Sequence, residues 1–181
     1  YKGRYLLEAT VRADAASNFA PENRWGYFPS VSAGWMISEE NFMKGASNWL
    51  SMLKLRTSYG QTGNSNVGYR IYDYYEVGRS AIIGGAESTG VYASDLGNKS
   101  ITWETTTTYG IGADITLLNN RLRASADYYY KKTTDMLMEV GFPSYFGYNA
   151  PQNNAADMNT KGWDLELSWS DQINDFRYGA S

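Results

Sequence analysis

The sequence contains no cysteine and no histidine among its 181 residues. The first absence excludes disulfide bonds and thiolate metal sites, and the second removes the commonest general base and metal ligand near neutral pH. The 16 basic and 19 acidic side chains nearly balance, so the charge gives no indication of nucleic-acid binding. We therefore expect no enzymatic activity, no metal site, no cofactor and no nucleic-acid partner.

Long apolar runs are also missing, since no window approaches the 18 apolar residues that a transmembrane helix requires. Aromatic residues are abundant instead, at 15% of the chain, with 16 Tyr and 6 Trp. Tyr and Trp at this level suit surfaces that are apolar at one end and wet at the other. This composition is compatible with a transmembrane β-barrel, in which alternating lipid-facing and interior residues keep the average hydropathy low.

Residues 24–35 alternate between two kinds of side chain. The apolar set is Tyr27, Pro29, Val31, Ala33 and Trp35, and the other set is Gly26, Phe28, Ser30, Ser32 and Gly34. The second set is too small and polar to fill a core, so we expect it to face a wide, wet interior while the first faces lipid. A proline removes a ladder hydrogen bond, which predicts that Pro29 lies near the rim of the sheet.

Residues 109–130 carry the strongest pattern, two alternating runs around Asn119 and Asn120. Both asparagines tolerate positive φ, which predicts a tight hairpin. The apolar face of this register pairs Leu117 with Leu122, Ile115 with Ala124, Ala113 with Ala126, Ile111 with Tyr128, and Tyr109 with Tyr130. The opposite face pairs Thr116 with Arg123, Asp114 with Ser125, Gly112 with Asp127, and Gly110 with Tyr129. Asp114 is expected to lie within side-chain reach of Arg123.

Strand length favours a membrane wall over a soluble sandwich. Each apolar stripe of this hairpin covers about nine residues, enough for a tilted strand to cross ~25–30 Å of hydrocarbon, whereas sandwich strands usually have ~5–6 residues. Similar alternation predicts further strands at residues 5–12, 24–35, 53–60, 162–170 and 176–180, giving seven wall strands. The aromatic residues expected at the membrane interfaces are Trp35, Tyr128, Tyr130, Trp163 and Trp169.

Loop length predicts the orientation, because barrels of the outer membrane keep short turns on the periplasmic side. The Asn119–Asn120 turn is then periplasmic, as is the 39–52 connection, in which residues 48–52 are expected to form a short helical turn. The extracellular side receives residues 18–24, 61–100 and 139–158, and extra strands within 61–100 must come in pairs. Sugars stack on aromatic rings, so the candidate ligand contacts are Tyr69, Tyr72, Tyr74, Tyr75, Tyr145, Phe146 and Tyr148. The alternative for these side chains is that they pack the loops against each other or against a lid protein.

Three other motifs are expected to be structural. Residues 60–68, GQTGNSNVG, lack the Gly-Lys-Ser/Thr ending of a phosphate loop, which favours an exit from a strand into a loop. Residues 95–98 lack the acidic density of a Ca²⁺ loop, which favours a plain turn. A carboxylate pair for glycoside hydrolysis could be drawn from Glu104, Asp114, Asp127, Asp164 and Glu166. Because these side chains fall on the interior face near Arg121 and Arg123, we interpret them as a solvated channel wall.

The sequence resembles the SusC/RagA-like TonB-dependent transporters of the bacterial outer membrane. The stretches that carry the resemblance are RWGYFPSVSAGW, LKLRTSYGQTGN, WETTTTYGIGADITLLNNRLRASADYYYKKTTDML and NTKGWDLELSW. They cover most of the chain in the family's order. RADAASNF is similar to the family's Arg-x-Asp-Gly-Ser-Ser-type stretch, with Ala15 in place of the glycine.

The resemblance implies a large plugged barrel of the 22-stranded class, of which residues 1–181 would supply part of one wall from the C-terminal half. It also implies a SusD-like surface lipoprotein as lid, energy from the TonB complex, and import of oligosaccharides or peptides. No signal sequence, TonB-interacting segment or plug is recognisable in these residues, so we expect the chain to be an excerpt of a longer polypeptide.

Two alternatives follow from the residues alone. One is a small closed barrel of about eight strands that acts as an adhesin or structural anchor, which requires an even number of strands. The other is a secreted carbohydrate-binding sandwich, which requires the apolar stripes to be buried against a second sheet.

Overall fold

The computed structural model describes residues 1–139, 141, 143, 145 and 151–181. The strands in these residues are β1 (Tyr5–Ala15), β2 (Trp25–Met36), β3 (Leu50–Asn64), β4 (Tyr74–Ile83), β5 (Ala86–Asp95), β6 (Glu104–Leu117), β7 (Leu122–Glu139), β8 (Gln152–Ile173) and β9 (Phe176–Ala180). Short 3₁₀ helices occupy Pro21–Asn23, Ile37–Glu39 and Asn41–Ala46. Across the described ranges, no helix has the length and apolar character to cross a membrane.

Among the described residues, seven strands form one antiparallel sheet in the order β1-β2-β3-β6-β7-β8-β9, and β4 pairs only with β5. The seven predicted wall strands are therefore confirmed, and the extra strands between β3 and β6 do come as a pair. Within the described residues β1 and β9 are not neighbours in the sheet, so the wall is open. This geometry does not match a small closed barrel.

The β6–β7 hairpin has the predicted register at every pair, from Leu117 opposite Leu122 to Tyr109 opposite Tyr130. Asn119 and Asn120 take φ of 56° and 69°, as a tight turn of this kind requires. Leu118 also has a positive φ, of 54°, which the sequence did not predict. Its N–H donates to the carbonyl of Trp49 at 2.8 Å, which ties the hairpin turn to the connection between β2 and β3.

The apolar sets of the seven strands lie on one face of the sheet. The pairing continues in phase from strand to strand, for example through the row Leu55, Ala113, Ala126 and Leu165. No other part of the described chain covers these side chains: Leu7 is 79% exposed, and Trp163 and Leu165 are each 70% exposed. Because no second sheet covers this face in the described part of the chain, the sandwich alternative does not match.

The opposite face carries mostly small and polar side chains. Pro29 pairs with Val11, and the ladder between β2 and β3 starts only at Ser30, so the proline lies beside the end of that ladder as predicted. Phe28 departs from the expectation of a wet interior, since it is 5% exposed and belongs to a small apolar cluster described below.

Two connections differ from the predicted ones. The helical turn between β2 and β3 lies at Asn41–Ala46, whereas residues 48–52 form a turn and the bulged start of β3. The predicted 61–100 excursion is shifted towards the C-terminus, because β3 continues to Asn64 and β6 begins at Glu104; the β4–β5 hairpin occupies 74–95 within it. The β7 and β8 strands have 18 and 22 residues. At ~3.4 Å per residue they span roughly 60 Å or more, so they extend well past the apolar stripe.

The face assignment predicts opposite results for two neighbouring substitutions in β2. Ala33→Arg places a charge in the apolar stripe and should destabilise the folded full-length protein by about 2–4 kcal/mol, the cost of such a charge near the bilayer midplane. Ser32→Arg, the control, faces the interior opposite Glu8 and should be tolerated. Assembly into outer membranes and heat-modifiable electrophoretic mobility measure both. Equal losses in the two variants would contradict the assignment.

Candidate functional site

The two ends of the wall differ in the length of their connections. At one end are two short turns, residues 118–121 between β6 and β7 and residues 174–175 between β8 and β9, together with the 37–49 connection between β2 and β3. At the other end the connections comprise residues 16–24, 65–103 and 140–151. We call this second end the loop end. It brings together segments that are far apart in sequence and holds those predicted ligand contacts that the structure describes.

A small apolar cluster lies under the loops. Its centre is Trp103, whose ring centroid lies 5.2 Å from that of Phe19 and 5.4 Å from that of Phe28. Phe19 and Ile101 are completely buried or nearly so. The indole N–H of Trp103 donates to the carbonyl of Arg24 at 3.3 Å, which satisfies the one polar group that the ring brings into the cluster.

Glycine makes the cluster possible on the strand side. A Cβ atom at Gly63 would collide with the ring of Phe28, and one at Gly26 would lie 2.9 Å or less from two atoms of the same ring. Phe28 therefore occupies the space that β-carbons on these two residues would fill. In the sequence, Gly26 looked like part of a face too small to form a core, and Gly63 like part of an exit from a strand.

Asparagine side chains fasten the 16–24 loop to the neighbouring segments. The amide of Asn18 donates to the carbonyls of Ser65 at 2.7 Å and Val67 at 2.6 Å. The amide of Asn23 donates to the carbonyl of Ile101 at 3.2 Å. These bonds supply partners to loop carbonyls that have no ladder partner.

Two further asparagines join the 96–103 loop to the ends of β7 and β8. Asn98 donates to the carbonyl of Gln152 at 2.9 Å and to the side-chain oxygen of Asn153 at 2.7 Å. Asn154 accepts from the N–H of Thr102 at 2.9 Å and donates to its carbonyl at 3.1 Å. Together with the apolar cluster, the four asparagines make the loop end a single folded platform.

The predicted ligand-contact tyrosines fall into two groups. Tyr69 and Tyr74 are tied into the loop: the Tyr74 hydroxyl donates to the Tyr69 carbonyl at 2.9 Å, and the Tyr69 hydroxyl lies 3.1 Å from that of Ser17. Tyr72 and Tyr75 are 58% and 64% exposed and use no side-chain hydrogen bond within the described residues.

The remaining predicted ligand contacts belong to the β7–β8 connection. Tyr145 is exposed, whereas Phe146 and Tyr148 lie outside the described residues. The structure does not gather the described tyrosines into one aromatic patch, because no pair among Tyr69, Tyr72, Tyr74 and Tyr75 makes a ring contact.

The two glycine-containing motifs have structural roles. Residues 60–64 continue β3, pairing with residues 104–108 of β6, and the following segment is held by Asn18, so this is an exit from a strand as predicted. At residues 95–98, the N–H of Gly97 donates to the Asp73 carboxylate at 2.8 Å, and Asn98 reaches the start of β8. The side chains of the described residues provide no cluster of three potential metal ligands.

The interior face carries a charge network centred on Arg56. Its guanidinium Nη2 lies 2.6 Å from the Asp127 carboxylate, 3.2 Å from that of Asp114 and 3.1 Å from the Ser125 hydroxyl. Arg123 is diagonal to Asp114, as the predicted register requires, but the ion pair of Asp114 is with Arg56 from β3. Arg121, in the turn between β6 and β7, forms an ion pair with Asp171 of β8 at 3.1 Å.

The other predicted carboxylates line the same face without forming a catalytic pair. Asp164 lies directly opposite Asp127, and Glu166 lies opposite Ser125. Like charges directly opposite each other are destabilising, and Arg56 offsets this at Asp127. Glu104 accepts a 3.4 Å bond from Asn64 at the loop end. This arrangement agrees with a charged, solvated wall.

The predicted interface aromatics lie on the apolar face at two levels. Tyr128, Tyr130 and Trp163 lie towards the loop end, and Trp35 and Trp169 lie towards the short turns. Tyr59 and Tyr109, which the sequence analysis did not assign to this interface, extend the first level, with ring centroids 5.2 Å apart.

At the short-turn end, Glu40 anchors aromatic side chains of β1 and β2. Its carboxylate accepts from the Tyr5 hydroxyl at 2.5 Å and from the Trp35 indole at 3.2 Å, and it pairs with Arg4 at 3.2 Å. The hydrogen bonds from Tyr5 and Trp35, followed by the charge of Arg4, lower the pKa of Glu40. Glu40 was not predicted from the sequence, because two of its three partners, Tyr5 and Arg4, are 35 and 36 positions away along the chain.

Comparison with known proteins agrees with this geometry. The family model described as "TonB dependent receptor-like, beta-barrel" matches residues 1–181. The chain is 37% identical over 169 residues to TonB-dependent receptor P26 of Formosa agariphila, covering 93% of this chain and 17% of that protein. It is 36% identical over 170 residues to TonB-dependent receptor SusC of Bacteroides thetaiotaomicron, covering 91% and 17%. The chain thus spans about a sixth of the length of these relatives.

A solved structure with the same arrangement of strands is that of the RagAB peptide transporter. The TM-score is 0.81 with 32% sequence identity, over 94% of this chain and 18% of the matched chain. The open, seven-stranded sheet described above therefore corresponds to a segment of a larger structure.

The apolar cluster predicts that the loop end depends on Phe28. Phe28→Ala should destabilise the platform by about 3–5 kcal/mol, the usual cost of deleting a buried phenylalanine ring. The expected result in the full-length protein is faster proteolysis within residues 16–24 and 96–103, with the wall strands still protected. Phe42→Ala is the control, because Phe42 is 70% exposed in the connection at the opposite end. Unchanged proteolysis of Phe28→Ala would contradict the structural role of the cluster.

Proposed function

Because the chain belongs to the TonB dependent receptor-like β-barrel family, we propose that it forms part of the wall and extracellular loops of a TonB-dependent importer for oligosaccharides or peptides. The chain is an outer-membrane β-barrel segment, and its relatives are receptors and transporters rather than enzymes. In this proposal residues 1–181 belong to one barrel domain, and the plug and the TonB-interacting segment are supplied by other parts of the protein.

One observation carries the proposal: a single sheet has a bare apolar face and a polar, charged face. Side chains such as Leu7, Leu165 and Trp163 are stable in this exposed arrangement only against lipid, since water would disfavour so large an apolar surface. The polar face with Arg56 and Asp127 suits a wet interior that side chains need not fill. A wall of this kind separates two environments, as a transporter requires.

The proposed orientation places the loop end outside the cell and the turn at residues 118–121 in the periplasm, following the loop-length rule for outer-membrane barrels. Import then has three steps: capture at the extracellular mouth, occlusion under a SusD-like surface lipoprotein, and release when TonB deforms the plug. Residues of this chain take part in the first step. The lid and TonB are proposed partners, supported by the similarity to SusC and to the RagAB transporter.

The proposed substrates include two classes, oligosaccharides and peptides. A relative of known structure is named a peptide transporter, which favours peptides, whereas exposed tyrosine rings can stack on either sugars or peptide side chains. Tyr72 and Tyr75 are the best placed contacts, because their rings are exposed and their hydroxyls are not used by the loop.

Transport by the full-length protein tests the proposal. Deleting its gene from the native bacterium should abolish uptake of either labelled oligosaccharides or labelled peptides, and inactivating TonB should cause the same loss. Restoring the gene should restore uptake. Undiminished uptake of both substrate classes after deletion would refute the importer function, and uptake that survives TonB inactivation would refute energy coupling through TonB.

The proposed substrate contacts predict a graded loss of affinity. Tyr75→Ala in the full-length receptor should weaken substrate binding by ~2–10-fold, since an aromatic contact contributes about 0.5–1.5 kcal/mol. Tyr75→Phe should bind normally, because the ring is kept. Isothermal titration with the substrate identified by uptake measures both. If Tyr75→Ala binds as the wild type does, this residue is not a substrate contact.

A further inference from the structure

On the apolar face, strand pairing places three rows of side chains across β3, β6, β7 and β8. The first row is Thr57, Ile111, Tyr128 and Trp163. The second, two residues nearer the loop end, is Tyr59, Tyr109, Tyr130 and Lys161. The third is Gln61, Thr107, Lys132 and Asn159. The surface therefore changes from apolar through tyrosine to polar over two steps of the strand repeat, as at the boundary between acyl chains and headgroups.

A groove of about 390 Å³ opens in this face below the tyrosine row. Its lining includes Ala33, Thr57 and Ile111 together with the rings of Tyr59, Tyr109 and Tyr130. Because the lining surface is mostly apolar, the groove suits a hydrocarbon chain better than a polar ligand.

Two lysines lie beside the rim of the groove. Lys161 pairs with Tyr130, and Lys132 pairs with Asn159, so the lysines are diagonal neighbours with Cα atoms roughly 7–8 Å apart. Both side chains are exposed and neither makes an ion pair within the described residues. The next carboxylate along β8 on this face, Asp157, accepts from the backbone N–H of Asp135 at 3.3 Å.

Lys131, the neighbour of Lys132 in β7, lies on the opposite face of the sheet. It points to the interior face, where its ammonium lies 5.1 Å from the centroid of the Tyr129 ring. Tyr130, between the two lysines on the outer face, donates its hydroxyl proton to Asn159 at 2.9 Å, and this bond holds the ring at the rim of the groove. The outer face thus presents two unpaired cations next to an apolar groove.

We propose that Lys132, Lys161 and the groove form a binding site for a phosphorylated lipid A molecule of the outer leaflet. The two ammonium groups bind a phosphate, and an acyl chain lies along the groove below Tyr109 and Tyr130. Basic side chains beside a membrane surface attract anionic headgroups, and the tyrosine hydroxyls lie at headgroup level. The assignment to the outer leaflet rests on the orientation given under the proposed function.

The charge of the two lysines and the position of the groove on the lipid-facing side favour lipid A as the ligand. The face is in contact with lipid rather than with water or the barrel interior, so its ligand must be a membrane component. Two unpaired cations within reach of one phosphate favour an anionic headgroup over a zwitterionic one, whose own ammonium would be repelled. In the proposed orientation the anionic lipid at this level is lipid A.

Direct lipid binding to the full-length receptor tests the proposal. The detergent-purified protein is incubated with phosphorylated lipid A, with the same lipid after removal of phosphate, or with phosphatidylglycerol, and bound lipid is counted by native mass spectrometry. The wild type should prefer phosphorylated lipid A over the other two probes. The variant K132Q/K161Q should bind it at least 10-fold more weakly, and K131Q, the matched control, should bind it normally. Heat-modifiable mobility verifies that each variant is folded.

Three results would overturn the proposal. Normal binding by K132Q/K161Q would remove the lysines from the site, and an equal loss in K131Q would show that overall charge rather than position matters. Phosphatidylglycerol bound as tightly as lipid A would remove the specificity for lipid A. The groove is tested by Ala33→Phe, which should fill it and weaken binding several-fold. Binding is measured without transport, so failure of the importer function would leave this result interpretable.

Discussion

The structure depends on one constraint, that the two-residue alternation of each strand stays in phase with that of its neighbours. A slip of one residue between any two strands would turn every apolar side chain of one of them into the wet interior. The tight turn at Asn119 and Asn120 fixes the phase between β6 and β7. The bond from Leu118 to Trp49 extends this control to the β2–β3 connection. The short turn at residues 118–121 and this bond therefore hold β2, β3, β6 and β7 in phase at this end of the wall.

A single sheet whose strands all turn their apolar side chains to one face has no core between two layers. Its stabilising contacts must therefore form elsewhere than in a soluble domain. The interior face is joined across strands by polar contacts such as those of Arg56, and these also separate carboxylates that the register places opposite each other. The apolar burial that a soluble domain would concentrate between two layers occurs instead at the loop end, around Trp103. Lipid covers the apolar face that no protein contact buries.

The sequence predicted the wall because both of its determinants are local. Alternation assigns the faces, and the Asn-Asn turn assigns the register, so each pair from Leu117–Leu122 to Tyr109–Tyr130 could be predicted in advance. The loop end could not be predicted in this way. Phe28 belongs to an alternating set that is otherwise small and polar, and its partner Trp103 is 75 positions away. The Arg56 network was missed for the same reason, because Arg56 of β3 meets Asp114 of β6 and Asp127 of β7 only through the fold.

The loop end divides into a packed part and a projecting part. Tyr72 belongs to the packed platform, where a Cβ atom on Gly97 would come within 2.5 Å of the Tyr72 backbone. Tyr75 lies on the β4–β5 hairpin, whose side chains are exposed along most of both strands and which pairs with no other strand among the described residues. An isolated two-stranded hairpin is marginally stable in water. The hairpin therefore depends on its surroundings for stability, whereas strand pairing holds the wall, and the Trp103 cluster and the asparagine bonds hold the platform.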